Sequence, residues 1–244
     1  MRILITNDDG IKAEGIVRLA AAAKEFGEIW IVAPKTQRSA ASHSLTINKG
    51  IDVYPCNDFP VEGVKAYSCS GHPSDCLRIG CEYIMPNKPD IIFSGINNGF
   101  NVGTDIQYSA TVGAAFDAAM CGYPVIALSE GFRGDDRETK AGHAVTDIYL
   151  HDILTELLDG EPKPGEVINV NFPDCDPEDY KGILRDRRVS MDAPYIDKYG
   201  VENLEDGGKR YNIIWTDRDH APEGTDLRAI LDGYISIGIV HNIY

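Results

Sequence analysis

With 244 residues, 43% of them hydrophobic and 25% charged, the chain has the make-up of a globular protein of one large or two small domains. Lys and Arg number 23 against 38 Asp and Glu, a formal net charge of −15, which argues against a nucleic acid polymer as partner. No apolar run approaches the ~18 residues of a membrane span, and Met1-Arg2 leads into a strand-like segment without signal-peptide character, so a cytoplasmic protein is expected.

Arg2 to Thr6 is a β-branched-rich run, and an apolar stripe at Ile16, Leu19, Ala20, Ala23 and Phe26 follows at helical spacing, the start of a βαβ unit. Glu28 to Ala33 reads as a second strand ending at Pro34, before a hydroxyl-rich loop, TQRSAASHSLT. Lys65 to Cys69 is extended, and Pro73 opens a helix where its missing N–H costs nothing. Pro89 to Ser94 is a buried strand, followed by a Gly/Asn-rich loop from Gly95 to Gly103. Ser109 to Met120 is a helix whose small residues suit close packing on a sheet. Pro124 to Leu128 is a strand, Thr139 to Leu158 a long helix, and Val167 to Val170 a further strand. This alternation predicts an α/β fold, a doubly wound and mostly parallel sheet covered on both faces, with its ligand site off the carboxyl ends of the strands.

From about Pro173 the pattern loosens, with extended candidates near Ile183 to Val189 and Tyr211 to Trp215, and residues 173–244 read as an extension serving oligomerisation, with a solvated insertion the equal alternative from pattern alone. The whole is taken as one domain, its core spanning about residues 1–172. The six cysteines include no C-x-x-C and read as free thiols; the six histidines show no metal-binding spacing.

Three polar segments follow three predicted strands: Asn7-Asp8-Asp9-Gly10, the loop holding Ser39, and Asn97 to Asp105. In a doubly wound sheet they converge on one edge. Two adjacent carboxylates at ~4 Å repel by about 4 kcal/mol at an effective dielectric near 20, so a positive group is expected between them. Asp8 and Asp9 with an amide and a hydroxyl form an all-oxygen set that suits one hard divalent ion, Mg²⁺ or Mn²⁺. The plainer alternative makes Asp8 a helix cap or both acids solvated turn residues. Ser109 and Thr111 fall in the first turn of the next helix, where free N–H groups and the positive dipole end favour phosphate, or where Ser109 simply caps. Glycines 95, 99 and 103 match neither a dinucleotide fingerprint nor a Walker A loop.

NDDG after the first strand, QRSAASHSLT, GHPSDC, SGINNGFNVGTDIQYSATVGAA, VINVNFP and TDLRAILDGYISI together resemble the survival protein SurE family of metal-dependent nucleotidases. The resemblance implies a Rossmann-like core and release of phosphate from nucleoside monophosphates, the 5′ esters first, with 3′ esters and short polyphosphate as further substrates. It implies one divalent metal per subunit on Asp8, Asp9, Ser39 and Asn97, with catalysis at Asp8 and Asp9 and phosphate near Asn101, Ser109 and Thr111. Homodimers or tetramers with exchanged C-terminal arms are implied too. Ala40 and Ala110 stand where the family usually has Gly, and His72 where it has Thr; a methyl group at Ala110 would crowd the phosphate or, if the backbone there is left-handed, cost about 1 to 2 kcal/mol. The C-terminal ISIGIV lacks the Thr-Pro that commonly follows. His43 and Arg38, in the Ser39 loop, are candidate base or phosphate contacts or, equally, solvated surface residues. The attacking group, an activated water or the Asp8 carboxylate, stays open. The chain has no C-x₅-R loop or G-x-S-x-G elbow, and a receiver-like sensor would need an acceptor Asp after the strand ending Phe93-Ser94-Gly95.

Overall fold

The computed structural model describes residues 1–131, 143–160 and 162–241. In chain order the strands are β1 (Arg2–Thr6), β2 (Glu28–Pro34), β3 (Val53–Pro55), β4 (Lys65–Cys69), β5 (Ile91–Asn98), β6 (Val125–Glu130) and β7 (Val167–Phe172), then β8 (Gly182–Leu184), β9 (Tyr195–Asn203), β10 (Lys209–Asp217) and β11 (Tyr234–Val240). The helices are α1 (Glu14–Ala23), α2 (Pro73–Ile79), α3 (Ala110–Met120), α4 (Ala144–Asp159) and α5 (Asp226–Leu231). One nine-stranded sheet runs β3-β4-β2-β1-β5-β6-β7-β11-β8, and β9 with β10 forms a separate two-stranded ribbon. Strands β4, β2, β1, β5, β6 and β7 are parallel to one another. β3 and β11 pair antiparallel at their junctions with β4 and β7.

Alternation along the strands feeds two apolar layers, because successive side chains leave opposite faces of a sheet. Ile3 and Ile5 of β1 join Ile16 and Leu19 of α1 and Ile153 and Leu154 of α4. Leu4 between them joins Leu77 of α2 and Val112 and Ala115 of α3 on the other face. The sheet is therefore α/β and doubly wound, as the pattern predicts. α3 is buried from Ala110 to Ala119. Its small residues let backbone approach: a Cβ on Gly113 would lie 2.7 Å from the Ser42 carbonyl oxygen. The chain winds outward from β1 through β2 to β4 on one side, and from β5 through β6 to β7 on the other. The reversal between β1 and β5 opens a crevice at their carboxyl ends, where such sheets bind ligands.

Some boundaries differ from those predicted. β5 continues through Gly95–Asn98, because after a register break at Ser94 pairing resumes at Asn97↔Ser129 and Asn98↔Glu130. Asn97 is thus a strand-end residue rather than a loop residue. The start of the long predicted helix, residues 139–142, lies outside the described residues, and α4 begins at Ala144. The extended candidate at Ile183 to Val189 is strand only as far as Leu184. β11 and β8, from beyond residue 172, complete the central sheet. All six cysteines are free, with Cys69, Cys76 and Cys81 buried. Among the described residues no helix is long and apolar enough to cross a membrane.

Candidate active site

The turn after β1 is held by its own first residue. The Asn7 amide donates to the Gly10 carbonyl at 3.0 Å while the Gly10 N–H donates to Asn7 Oδ1 at 3.2 Å. Gly10 has φ +108°, and a Cβ there would come 3.3 Å from the Pro34 carbonyl oxygen, so the tight turn uses glycine for both reasons. Asp8, 3% exposed, is thereby fixed beneath the crevice, and Asp9 sits partly open above it. The capping alternative for Asp8 does not hold: α1 starts at Glu14, its N-cap position is Ala13, and no side chain caps it. Asp8 Oδ1 instead accepts a hydrogen bond from Thr111 Oγ1 of α3.

Asp9 is reached from the Ser39 loop and from the end of β5. Its Oδ1 accepts from Gln37 Nε2 at 3.2 Å, and its Oδ2 from the Asn98 backbone N–H at 3.0 Å. The same Gln37 nitrogen donates to Ser39 Oγ at 2.9 Å, which ties Ser39 to Asp9. The Arg38 N–H donates to the Asp8 carbonyl at 2.7 Å and closes the Ser39 loop onto the NDDG turn. Asn97, the residue before the Asp9 contact, has its amide fixed by donation to the Gly99 carbonyl at 2.7 Å. Hydrogen bonds thus join Asp8 to Thr111, and Asp9 to the Asn98 backbone and, through Gln37, to Ser39, with Asn97 next to Asn98 in the chain.

Ser109 and Asn101 are engaged elsewhere. Ser109 Oγ accepts the Val112 N–H at 3.0 Å as the cap of α3. Asn101 donates to Ser129 Oγ at 2.7 Å, and its backbone is clamped by Asn171, which accepts its N–H at 2.8 Å, and by the Asn169 and Asn171 amides on its carbonyl. These contacts fix the 99–103 loop at the mouth of the crevice. Arg38 donates to the Ser70 carbonyl at 2.9 Å, and His43 lies 3.1 Å from the buried Asp117, which Arg78 also pairs. Both side chains therefore have structural partners.

Burial, and after it the charge of Asp9, pushes the Asp8 carboxyl up to about 7; burial also raises Asp9, against the opposing pull of the Asn98 N–H and the Gln37 amide. Among the described residues no cationic side chain is a cause of either shift. The contrast with Glu130 is instructive. Burial pushes that carboxyl up as well, but His143 at 2.8 Å and Arg18 at 2.7 Å bring it below its ordinary range. Two packed carboxylates without a cationic partner among the described residues, with the Thr111 hydroxyl on one and the Ser39 hydroxyl linked to the other through Gln37, fit a hard divalent ion, which would restore ionisation of both acids.

Sequence reasoning missed Gln37, the bridge between Asp9 and Ser39, although it lies inside the quoted QRSAASHSLT. It also missed Asn169, Asn171 and Asp226. Asp226 accepts the N–H groups of Gly103 at 2.9 Å and Ser190 at 2.8 Å.

The family model described as "Survival protein SurE" matches residues 3–191. A protein of Caldanaerobacter subterraneus named 5′-nucleotidase SurE is 39% identical, over 98% of this chain and 91% of its own. One of the same name from Mesorhizobium japonicum is 35% identical, over 97% and 92%. The crystal structure of the SurE protein from Aquifex aeolicus superposes with a TM-score of 0.80 at 32% identity, covering all of this chain and 95% of that one. Given agreement of fold, motifs and nearly full-length similarity, the chain belongs to the survival protein SurE family.

Proposed function

We propose that the protein is a phosphomonoesterase releasing inorganic phosphate from nucleoside 5′-monophosphates, with one divalent ion, Mg²⁺ or Mn²⁺, held by Asp8, Asp9, Ser39 and Asn97. Relatives named 5′-nucleotidase across nearly the full chain support the reaction class. The observation that carries the metal is the pair of packed carboxylates with no cationic partner among the described residues. When bound, such an ion supplies a Lewis acid and template for a phosphoryl oxygen.

The chain's own residues supply the rest. Thr111 orients the Asp8 carboxylate, and Gln37 with the Asn98 N–H orients that of Asp9. The amino end of α3, entered through the Ser109 cap, presents its first-turn N–H groups and positive dipole end to charge spreading over the phosphoryl oxygens. Asp8 is almost fully buried with one oxygen engaged by Thr111, an arrangement that favours water over this carboxylate as the attacking group. Nucleoside 3′-monophosphates and short polyphosphate are further substrates to be compared. The ribbon of β9 and β10 exposes Tyr199, Val201, Tyr211, Ile213 and Ile214, which suits an arm exchanged between subunits of a dimer or tetramer. A cytoplasmic location accords with six free thiols.

The test is phosphate release from nucleoside 5′- and 3′-monophosphates, short polyphosphate and an aryl phosphate by wild type and Asp9→Asn. Turnover of the 5′ esters by wild type, lost in a folded Asp9→Asn, is expected. Equal rates in both proteins would refute the assignment. A phosphoryl group trapped on Asp8 in a single turnover would refute attack by water.

A further inference from the structure

The carboxylate crevice continues into a cleft of about 830 Å³ that shares Gln37, Ser39 and Asn98 with it and runs to the foot of the β9–β10 ribbon. A phosphoryl group fills a small part of such a volume, which lies in the range that encloses a whole small-molecule ligand. The far part is lined by three aromatic side chains, Phe100, Tyr195 and Trp215. Phe100 is a fixed wall: it packs against the cluster of Val102, Ala221, Leu227 and Ile230, and Gly131 passes under its ring where a Cβ would lie 2.2 Å from Phe100 Cζ. Trp215 and Tyr195 meet edge to face, centroids 5.8 Å apart at 74°, and Trp215 is still 54% exposed. The foot of the ribbon is itself pinned, because Arg218 donates through Nε to the Ala193 carbonyl at 2.8 Å and through its backbone N–H to the Pro194 carbonyl at 2.9 Å.

Resting on the phosphomonoesterase reading, we infer that this aromatic end of the cleft is the nucleobase subsite, with Trp215 as the residue that selects nucleotides over base-free phosphate esters. A flat heteroaromatic ring tethered through a ribose to a phosphoryl group at Asp8 and Asp9 reaches a site continuous with those acids. Aromatic faces bind it by stacking, whichever base it carries. Trp215 contacts the base and stands apart from the phosphoryl chemistry.

The experiment compares wild type, Trp215→Ala and the conservative Trp215→Phe on adenosine 5′-monophosphate and on ribose 5-phosphate, which keeps the sugar and the phosphate and lacks the base. Trp215→Ala is expected to lower kcat/KM for the nucleotide about tenfold or more, mainly through KM, with ribose 5-phosphate unchanged and most of the loss regained in Trp215→Phe. A parallel fall on both substrates, or no fall on either, overturns the subsite. Binding of unphosphorylated adenosine supplies a readout independent of turnover. It is expected to quench the fluorescence of Trp215, one of only two tryptophans, the other being the buried Trp30. If wild type hydrolyses neither ester, the phosphomonoesterase reading fails, and adenosine quenching still decides the subsite: quenching supports it and its absence overturns it.

Discussion

Asp8 carries the strongest conflict between packing and charge in the site. Its native carboxyl titrates near 7, raised by burial and by Asp9, against ~3.9 in an unfolded chain. The metal-free fold therefore holds a proton that the unfolded chain has released. This group's contribution to stability is complete below pH ~4 and is lost as pH rises through the native value. The free energy of unfolding of chelator-treated protein should fall across that window, and Asp8→Asn should remove that part of the slope; parallel pH profiles for the two proteins would deny the buried, uncompensated acid. In the metal-replete enzyme the same substitution is expected to cut turnover on the order of a thousandfold or more, with circular dichroism unchanged. Of the two alanines that replace family glycines, Ala40 has φ +56°, whereas Ala110 begins α3 in ordinary helical backbone. Of these two alanines only Ala40 carries left-handed strain, and Ala40→Gly should stabilise by about 1 kcal/mol in urea unfolding, the relief of a left-handed alanine less the entropy glycine adds to the unfolded chain.

Among the elements, the 99–103 loop depends on partners distant in sequence. Gly99 donates to the Glu130 carbonyl, Asn101 to Asn171 and Gly103 to Asp226. Asp226→Ala would strand the buried N–H groups of Gly103 and Ser190, at a cost on the order of 3 kcal/mol. Urea denaturation should show that loss, and a change under about 1 kcal/mol would mean the loop is anchored elsewhere. Such contacts explain what the sequence concealed. β1, β2, β4 and α3 were legible because their apolar period or small-residue run is local and each ends at a turn residue or proline. The NDDG acids and Ser39 were legible because each follows a strand end. Asp226 gave no local sign, since its partner Gly103 is 123 positions away. β9, YIDKYGVEN, has no period-two alternation to read, because its ribbon rests neither face on the core.

At the scale of the whole molecule, the order of the central sheet brings the NDDG turn, the Ser39 loop and the end of β5 together, and the doubly wound pattern was enough to foresee convergence at the carboxyl ends of the strands. The insertion of β11 between β7 and β8 was not foreseeable, because a strand's neighbours depend on tertiary pairing that its own residues do not record. The β9–β10 ribbon leaves Tyr211 and Ile214 exposed outside that sheet. Replacing residues 196–216 by a short glycine turn between the paired ends Tyr195 and Asp217 should leave a folded monomer by light scattering. An oligomer of unchanged mass would place the subunit contact elsewhere. The proposed joining of fold to chemistry rests on a divalent ion among Asp8, Asp9, Ser39 and Asn97. Phosphate release from a nucleoside 5′-monophosphate, measured before chelation, in excess EDTA and after Mn²⁺ is restored, tests it most directly. Activity abolished by EDTA and recovered with Mn²⁺ is expected; release that continues undiminished in EDTA contradicts it.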